Sequence, residues 1–266
     1  MMIDTHCHLS KNDYDNLEEI IKHMDSNIMI ASGADRKYNK EVVDLVKKHK
    51  NIYGTIGLHP DEATTYTKED IEFIEKNISN NKIVGIGEIG LDYSREGYNK
   101  EAQVILFKKQ LEIARKNNLP VVIHSRDAIM DTYNILKEYQ DLKIVLHCYS
   151  SSVEMAKEFI KIGAKFGIGG VVTFKNGKKL QEVVKEIPLE YLLLETDSPY
   201  LTPEPYRGQK NEPYNITLVA EKIASIKNIE IEEVYKKTTQ NAINVYNIKW
   251  FGVILWNIRQ KKCKNY

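Results

Sequence analysis

The sequence predicts an α/β protein of one domain, a (β/α)8 TIM barrel, and three observations carry that prediction. Short apolar, β-branched runs recur eight times along the chain. Charged segments with helical spacing separate them. Six imidazoles and carboxylates stand at the ends of five of these runs: His6 and His8, Glu88, His124, His147 and Asp197.

The eight strand-like runs are Met2–Asp4, Ile28–Ala31, Tyr53–Gly57, Ile83–Gly87, Pro120–His124, Lys143–His147, Lys165–Ile168 and Tyr191–Glu195. Between them Lys40–Lys48, Glu101–Lys116 and Val153–Lys161 carry apolar residues at helical spacing. Thr67 with Asp70, and Ser151 with Glu154, have the spacing of a capping box and mark helix starts. Eight βα units in a row favour a closed parallel barrel, which takes roughly 250 residues. The chain has 266. An open doubly wound sheet is the alternative. It lacks its glycine-rich turn after strand one, where His6 and His8 stand instead.

Composition excludes several classes. The formal charge of +1 does not give the broad basic field of a duplex-binding protein. No run approaches the ~18 apolar residues of a membrane span, and the start of the chain predicts no signal peptide. Three scattered cysteines make no disulfide framework. A cytoplasmic, reduced monomer is the expectation.

The barrel is assigned to residues 1–248. Loops are expected between strands four and five and over Leu201–Pro213, both near the site. Residues 249–266 read as an atypical C-terminal tail, an apolar cluster around Trp250 and Trp256 followed by Arg259, Lys261, Lys262 and Lys264. Packing on the barrel is the plain expectation for it; a peripheral contact with nucleic acid or an anionic surface is the sharper one.

The candidate chemistry begins at His6–Cys7–His8. Alternate residues on a strand share a face, so both imidazoles point into the barrel mouth and Cys7 points toward the helical layer. Asp4 shares their parity and is expected to support one of them. Alternation also turns Cys148 away from the centre. Glu88 and Asp197 follow runs that should be buried, and buried carboxylates are costly unless paired or bound to metal. Imidazoles and carboxylates without thiolates suit zinc, manganese or nickel, and magnesium where carboxylates and water complete the shell.

These motifs also resemble a family. DTHCHL, GLHP, GEIGLDY, HSRDA, HCYS, ETDSPYL and the arginine-to-proline segment Arg207–Pro213 are similar, in order, to those of the TatD-type deoxyribonucleases of the amidohydrolase superfamily. The resemblance runs from Met2 to about Ile248. It implies a (β/α)8 barrel, two divalent ions (magnesium, manganese or zinc) and hydrolysis of DNA phosphodiesters, in the 3′-to-5′ exonuclease sense. It implies that His6, His8 and Asp197 hold one ion, that Glu88 bridges, and that His124 and His147 hold the other. Ser151 departs from the glycine that often follows HCYS in the family, which removes no ligand. The tail matches nothing in the family.

A two-metal mechanism follows, with Asp197 and Glu88 as catalytic residues and Asp197 accepting a proton from the attacking water. Arg126 and Arg207 are expected to fork onto substrate phosphates. His59 is expected to contact substrate or a ligand's outer side. Tyr93 and Tyr200 are expected to stack on a terminal base. A near-neutral chain with local cations fits single-stranded or end-frayed DNA as partner rather than a long duplex footprint. Other readings are a D-aminoacyl-tRNA deacylase or another amidohydrolase on the same centre, and a non-catalytic, metal-stabilised nucleic-acid-binding protein.

Overall fold

Eight parallel strands lie side by side in sequence order: β1 (Ile3–Cys7), β2 (Ile28–Ser32), β3 (Ile52–Ile56), β4 (Ile83–Asp92), β5 (Val121–Arg126), β6 (Ile144–Leu146), β7 (Lys165–Ile168) and β8 (Leu192–Leu194). The computed structural model describes residues 1–249. The tail expected to pack on the barrel or meet an anionic surface lies almost wholly outside the described residues. Helices α1 (Leu17–His23), α2 (Arg36–Lys48), α3 (Lys68–Asn77), α4 (Lys100–Asn117), α5 (Ile129–Leu136), α6 (Val153–Lys161), α7 (Lys178–Glu186) and α8 (Ile216–Lys227) follow the strands. A further helix, α9 (Ile231–Tyr246), completes the described chain. The barrel is the predicted class, and the open-sheet alternative is excluded.

The strands are buried on both faces, which is why each reads as a continuous apolar run. Ile3, Ile30, Val84 and Val122 fill the barrel interior, where Ile243 and Tyr246 of α9 close its lower end. Outward residues such as Met29, Ile86 and Ile123 pack under Phe107 of α4 and Phe159 of α6. The seam between β1 and β8 is closed by hydrogen bonds. Thr5 Oγ1 donates to the Leu194 carbonyl at 2.9 Å, Asp197 N to the His6 carbonyl at 2.9 Å and His8 N to the Ser198 carbonyl at 2.7 Å.

Thr67 and Asp70 form the expected capping box at the start of α3. The second box is corrected. The cap of α6 is Ser152, whose hydroxyl accepts from Met155 N, and Ser151 lies one residue before it.

Two irregularities aim side chains at the upper end. β1 carries one extra residue between Asp4 and Cys7 opposite Met29 and Ala31, a bulge that interrupts simple alternation. β4 is twice the predicted length and also shifts register between Ile86 and Ile89. Gly90 on β4 has φ +145°, and a Cβ there would lie 1.9 Å from the His124 carbonyl oxygen. Only glycine lets β4 approach β5 this closely.

Candidate metal centre

The C-terminal ends of the strands surround a cavity of about 620 Å³ whose walls include His8, Glu88, His124, His147 and Asp197. His6 lies beneath them, fully buried. All six predicted ligands therefore meet at one place.

Their polar atoms form two groups that share Glu88. In the first, His6 Nε2 lies 3.4 Å from His8 Nε2, 3.5 Å from Glu88 Oε2 and 3.7 Å from Asp197 Oδ1. His8 Nε2 lies 3.8 Å from Glu88 Oε2 and 3.6 Å from Asp197 Oδ1. Tetrahedral ligands at bonds of 2.0–2.2 Å sit roughly 3.3–3.6 Å apart, and His6, His8 and Asp197 lie close enough together to hold one divalent ion, with Glu88 Oε2 beside both histidines. In the second group Glu88 Oε1 lies 2.8 Å from both His124 Nδ1 and His147 Nε2, which are 3.4 Å from each other.

The outer nitrogens explain why the rings point inward. His8 Nδ1 donates to the Ser32 carbonyl at 3.1 Å, and Ser32 Oγ is hydrogen-bonded to His6 Nδ1 at 3.1 Å. One serine at the end of β2 thus orients both histidines. His124 Nε2 donates to Asp92 Oδ2 at 3.1 Å. Ser32 and Asp92 escaped the sequence reading. Asp92 had a signal: Glu88, Gly90 and Asp92 share one face of a longer β4. Ser32 had none.

Charge follows from these contacts. Burial alone would raise Glu88, but the neighbouring His147 charge and hydrogen bonds from His124, His147 and His6 hold it well below the usual carboxylate range. Burial likewise opposes ionisation of Asp197, yet His8, His147 and His6 keep it low. Burial would lower His8, but Asp197 and Glu88 raise it to about 9. His124 is raised to about 9 in the same way by Asp92 and Glu88. His6 is pushed down to about 4 by burial and by the His147 charge. A compact set of anionic oxygens and imidazoles results, suited to divalent cations.

The other expected residues divide. Arg126 and Tyr200 line the cavity, as does His59. His59 Nε2 lies 3.8 Å from Glu88 Oε1, and its Nδ1 accepts from Asp61 N at 3.2 Å. Tyr93 and Arg207 are not in the cavity wall. The Tyr93 hydroxyl donates to Asp131 at 2.9 Å, and its ring stacks on Tyr98. The Arg207 guanidinium sits 3.7 Å over the Phe174 ring. Arg95 and Tyr38 also line the cavity and went unnoticed in the sequence. Arg95, on the loop after β4, pairs with Asp61 at 3.0 Å.

Two expectations are corrected. Asp4 does not support a histidine ring: it accepts from the backbone N–H groups of His6 and Thr196 and from the Thr196 hydroxyl at 2.6 Å. The bulge after Asp4 breaks the parity that placed it beside the rings. Cys148 does not face away. β6 ends at Leu146, and φ +45° at Cys148 leaves its side chain in the cavity wall. Cys7 does pack outward, with Sγ 3.6 Å from the Ile30 carbonyl.

Known proteins resemble this chain over almost its whole described length. The family described as TatD related DNase matches residues 3–247. A Bacillus subtilis protein described as the uncharacterized metal-dependent hydrolase YabD is 41% identical, over 93% of this chain and 100% of that one. Human deoxyribonuclease TATDN3 is 34% identical, over 92% of this chain and 94% of its own. The crystal structure of YJJV, a TatD homologue from Escherichia coli, superposes with a TM-score of 0.86 at 27% identity, covering 93% of this chain and 98% of that one. No described helix is long and apolar enough to cross a membrane. With its eight-stranded barrel and its cluster of candidate metal ligands, the chain belongs to the TatD family of metal-dependent hydrolases.

Proposed function

We propose that the protein hydrolyses DNA phosphodiester bonds with two divalent ions, working from the 3′ end of a single-stranded or frayed substrate in the cytoplasm. One observation carries this reading: the two oxygens of Glu88 face two separate ligand groups, Oε2 toward His6 and His8, Oε1 toward His124 and His147. His6, His8, Asp197 and Glu88 would hold one ion; Glu88, His124 and His147 would hold the other. Such a pair supplies an acidified water and offsets charge on the attacking and leaving oxygens.

The chain's own groups do the rest. Asp197 is ionised and at the cavity wall, placed to take the proton of the attacking water. Arg126 stands at the same wall, where its guanidinium is placed to meet a substrate phosphate. Tyr200 is 54% exposed and packs edge-on to His8, a platform beside the site for a terminal base. The human relative's description as a deoxyribonuclease supports DNA as the substrate class.

The test is a 5′-labelled single-stranded DNA oligonucleotide, incubated with metal-stripped protein to which magnesium, manganese or zinc is returned. A ladder of stepwise shortening that needs the ion and vanishes in Glu88→Ala is the expected result. Metal-loaded protein that leaves DNA intact would overturn the reading and direct attention to mischarged tRNA and to amide or lactone substrates.

A further inference from the structure

Each imidazole in a metal site needs its outer nitrogen held, because that bond selects the tautomer and aims the ring. Ser32 does this for His6 and His8, and Asp92 for His124. His147 is different. Its Nδ1 is buried and has no hydrogen-bond partner among the described residues.

A carboxylate oxygen in the same state lies close by. Glu195 follows β8 and is fully buried. Its Oε1 accepts the backbone N–H of Cys148, the residue after His147, at 2.5 Å. Its Oε2 is buried without a partner. Gly167 makes the space, since a Cβ there would come within 1.9 Å of Glu195 Oε2. Buried polar atoms are rarely left unpaired.

We propose that Glu195 is a positioning residue for His147, its Oε2 accepting the Nδ1 hydrogen through one buried water. A buried water typically makes two to four hydrogen bonds. Oε1 meanwhile fixes the left-handed backbone at Cys148, φ +45°. One carboxylate therefore sets both the main chain beside His147 and the tilt of its ring. When an ion replaces the proton that Nε2 shares with Glu88 Oε1, 2.8 Å away, the Nε2 lone pair would be the one left to hold it.

The inference rests on the two-ion reading, and Glu195→Gln separates them. The Cys148 N–H keeps the amide oxygen at the Oε1 position. The amide NH2 then occupies the Oε2 position and donates where an acceptor is required. Manganese binding to metal-stripped full-length protein is measured by equilibrium dialysis, alongside the melting temperature of the metal-free forms. Wild type is expected to bind two ions. Glu195→Gln is expected to hold one as before and the other about tenfold to a hundredfold more weakly. Its metal-free form should melt no lower than wild type, because the amide oxygen keeps the Cys148 N–H bond and a neutral amide costs less to bury than a carboxylate.

Two tightly held ions in Glu195→Gln would overturn the proposal and leave the two-ion reading intact. One ion in wild type would overturn both. A metal-free variant that melts well below wild type would also overturn the proposal, since Glu195 would then hold the fold rather than the ring.

Discussion

Asp92 accepts a hydrogen bond from Nε2 of His124 at 3.1 Å, which turns Nδ1 of the same ring to within 2.8 Å of Glu88. The side chain of Asp92 is itself held by Ser94, whose hydroxyl donates at 2.6 Å and whose backbone N–H donates at 2.8 Å. Removing this outer carboxylate frees the ring to rotate. Asp92→Ala should weaken binding of one manganese ion about tenfold to a hundredfold, read by titration of metal-stripped protein. Unchanged affinity would show that His124 is aimed by something else.

Asp197 is the candidate proton acceptor, so its charge should matter more for turnover than for assembly. Asp197→Asn should lower kcat by about 10²- to 10⁴-fold while the variant stays folded and keeps much of its metal. Steady-state kinetics with metal analysis on the same sample checks this, and near-wild-type turnover would remove Asp197 from that role.

Protons and metal ions compete for the same imidazoles. Without metal, His8 and His124 have folded values of about 9, raised from the ordinary 6.5. A raised histidine gives stability that is fully present below 6.5 and is lost as pH rises through 9. The metal-free protein should therefore melt at progressively lower temperature from pH 6.5 to 9. Metal must displace those protons, so ion affinity should rise over the same window. Thermal melts with and without manganese measure both trends, and a metal-free melting temperature that climbs with pH would contradict the assignment.

Arg126 and Arg207 should behave differently. Arg126 faces the cavity, whereas Arg207 is stacked on Phe174 outside its wall. Loss of a charged hydrogen bond of about 1.5–3 kcal/mol corresponds to roughly ten- to a hundredfold in binding. Arg126→Ala should raise KM for an oligonucleotide by about that factor, and Arg207→Ala should leave KM nearly unchanged. Equal effects would place Arg207 on the substrate path.

Gly90 joins the strand geometry to the site. Gly90→Ala would place a methyl group against the His124 carbonyl oxygen in a backbone conformation that L side chains rarely adopt. The strain should lower stability by about 1–3 kcal/mol and displace His124. Urea denaturation of metal-free protein together with manganese binding tests both, and a neutral outcome in both would show that β4 and β5 can separate freely.

The barrel was legible because parallel strands buried on both faces leave unbroken apolar runs, and a polar residue ending such a run stands out. His6, Glu88, His124, His147 and Asp197 were found that way. What failed was local. Alternation read across the bulge misplaced Asp4, and alternation read past the end of β6 misplaced Cys148. The glycines of β4 disguised its length and hid Asp92. Ser32 and Glu195 lack any local signature, because their roles depend on which strand ends are neighbours in space. Arg95 reaches the cavity from a loop, where no periodicity constrains direction.

His6 and Asp197 meet across the seam where the first strand joins the last, their backbones linked by the Asp197 N–H and the His6 carbonyl. If His6 and Asp197 hold an ion together, as proposed, residues separated by most of the chain must both be in place before it can bind. A ribosome that has released only the early strands presents two histidines and no closed site. On that proposal the site would be completed only with the final βα unit, and a bound ion would then clasp the two ends of the barrel together. A chain lacking its last strand would then lack Asp197's half of the site as well as the barrel's closing seam.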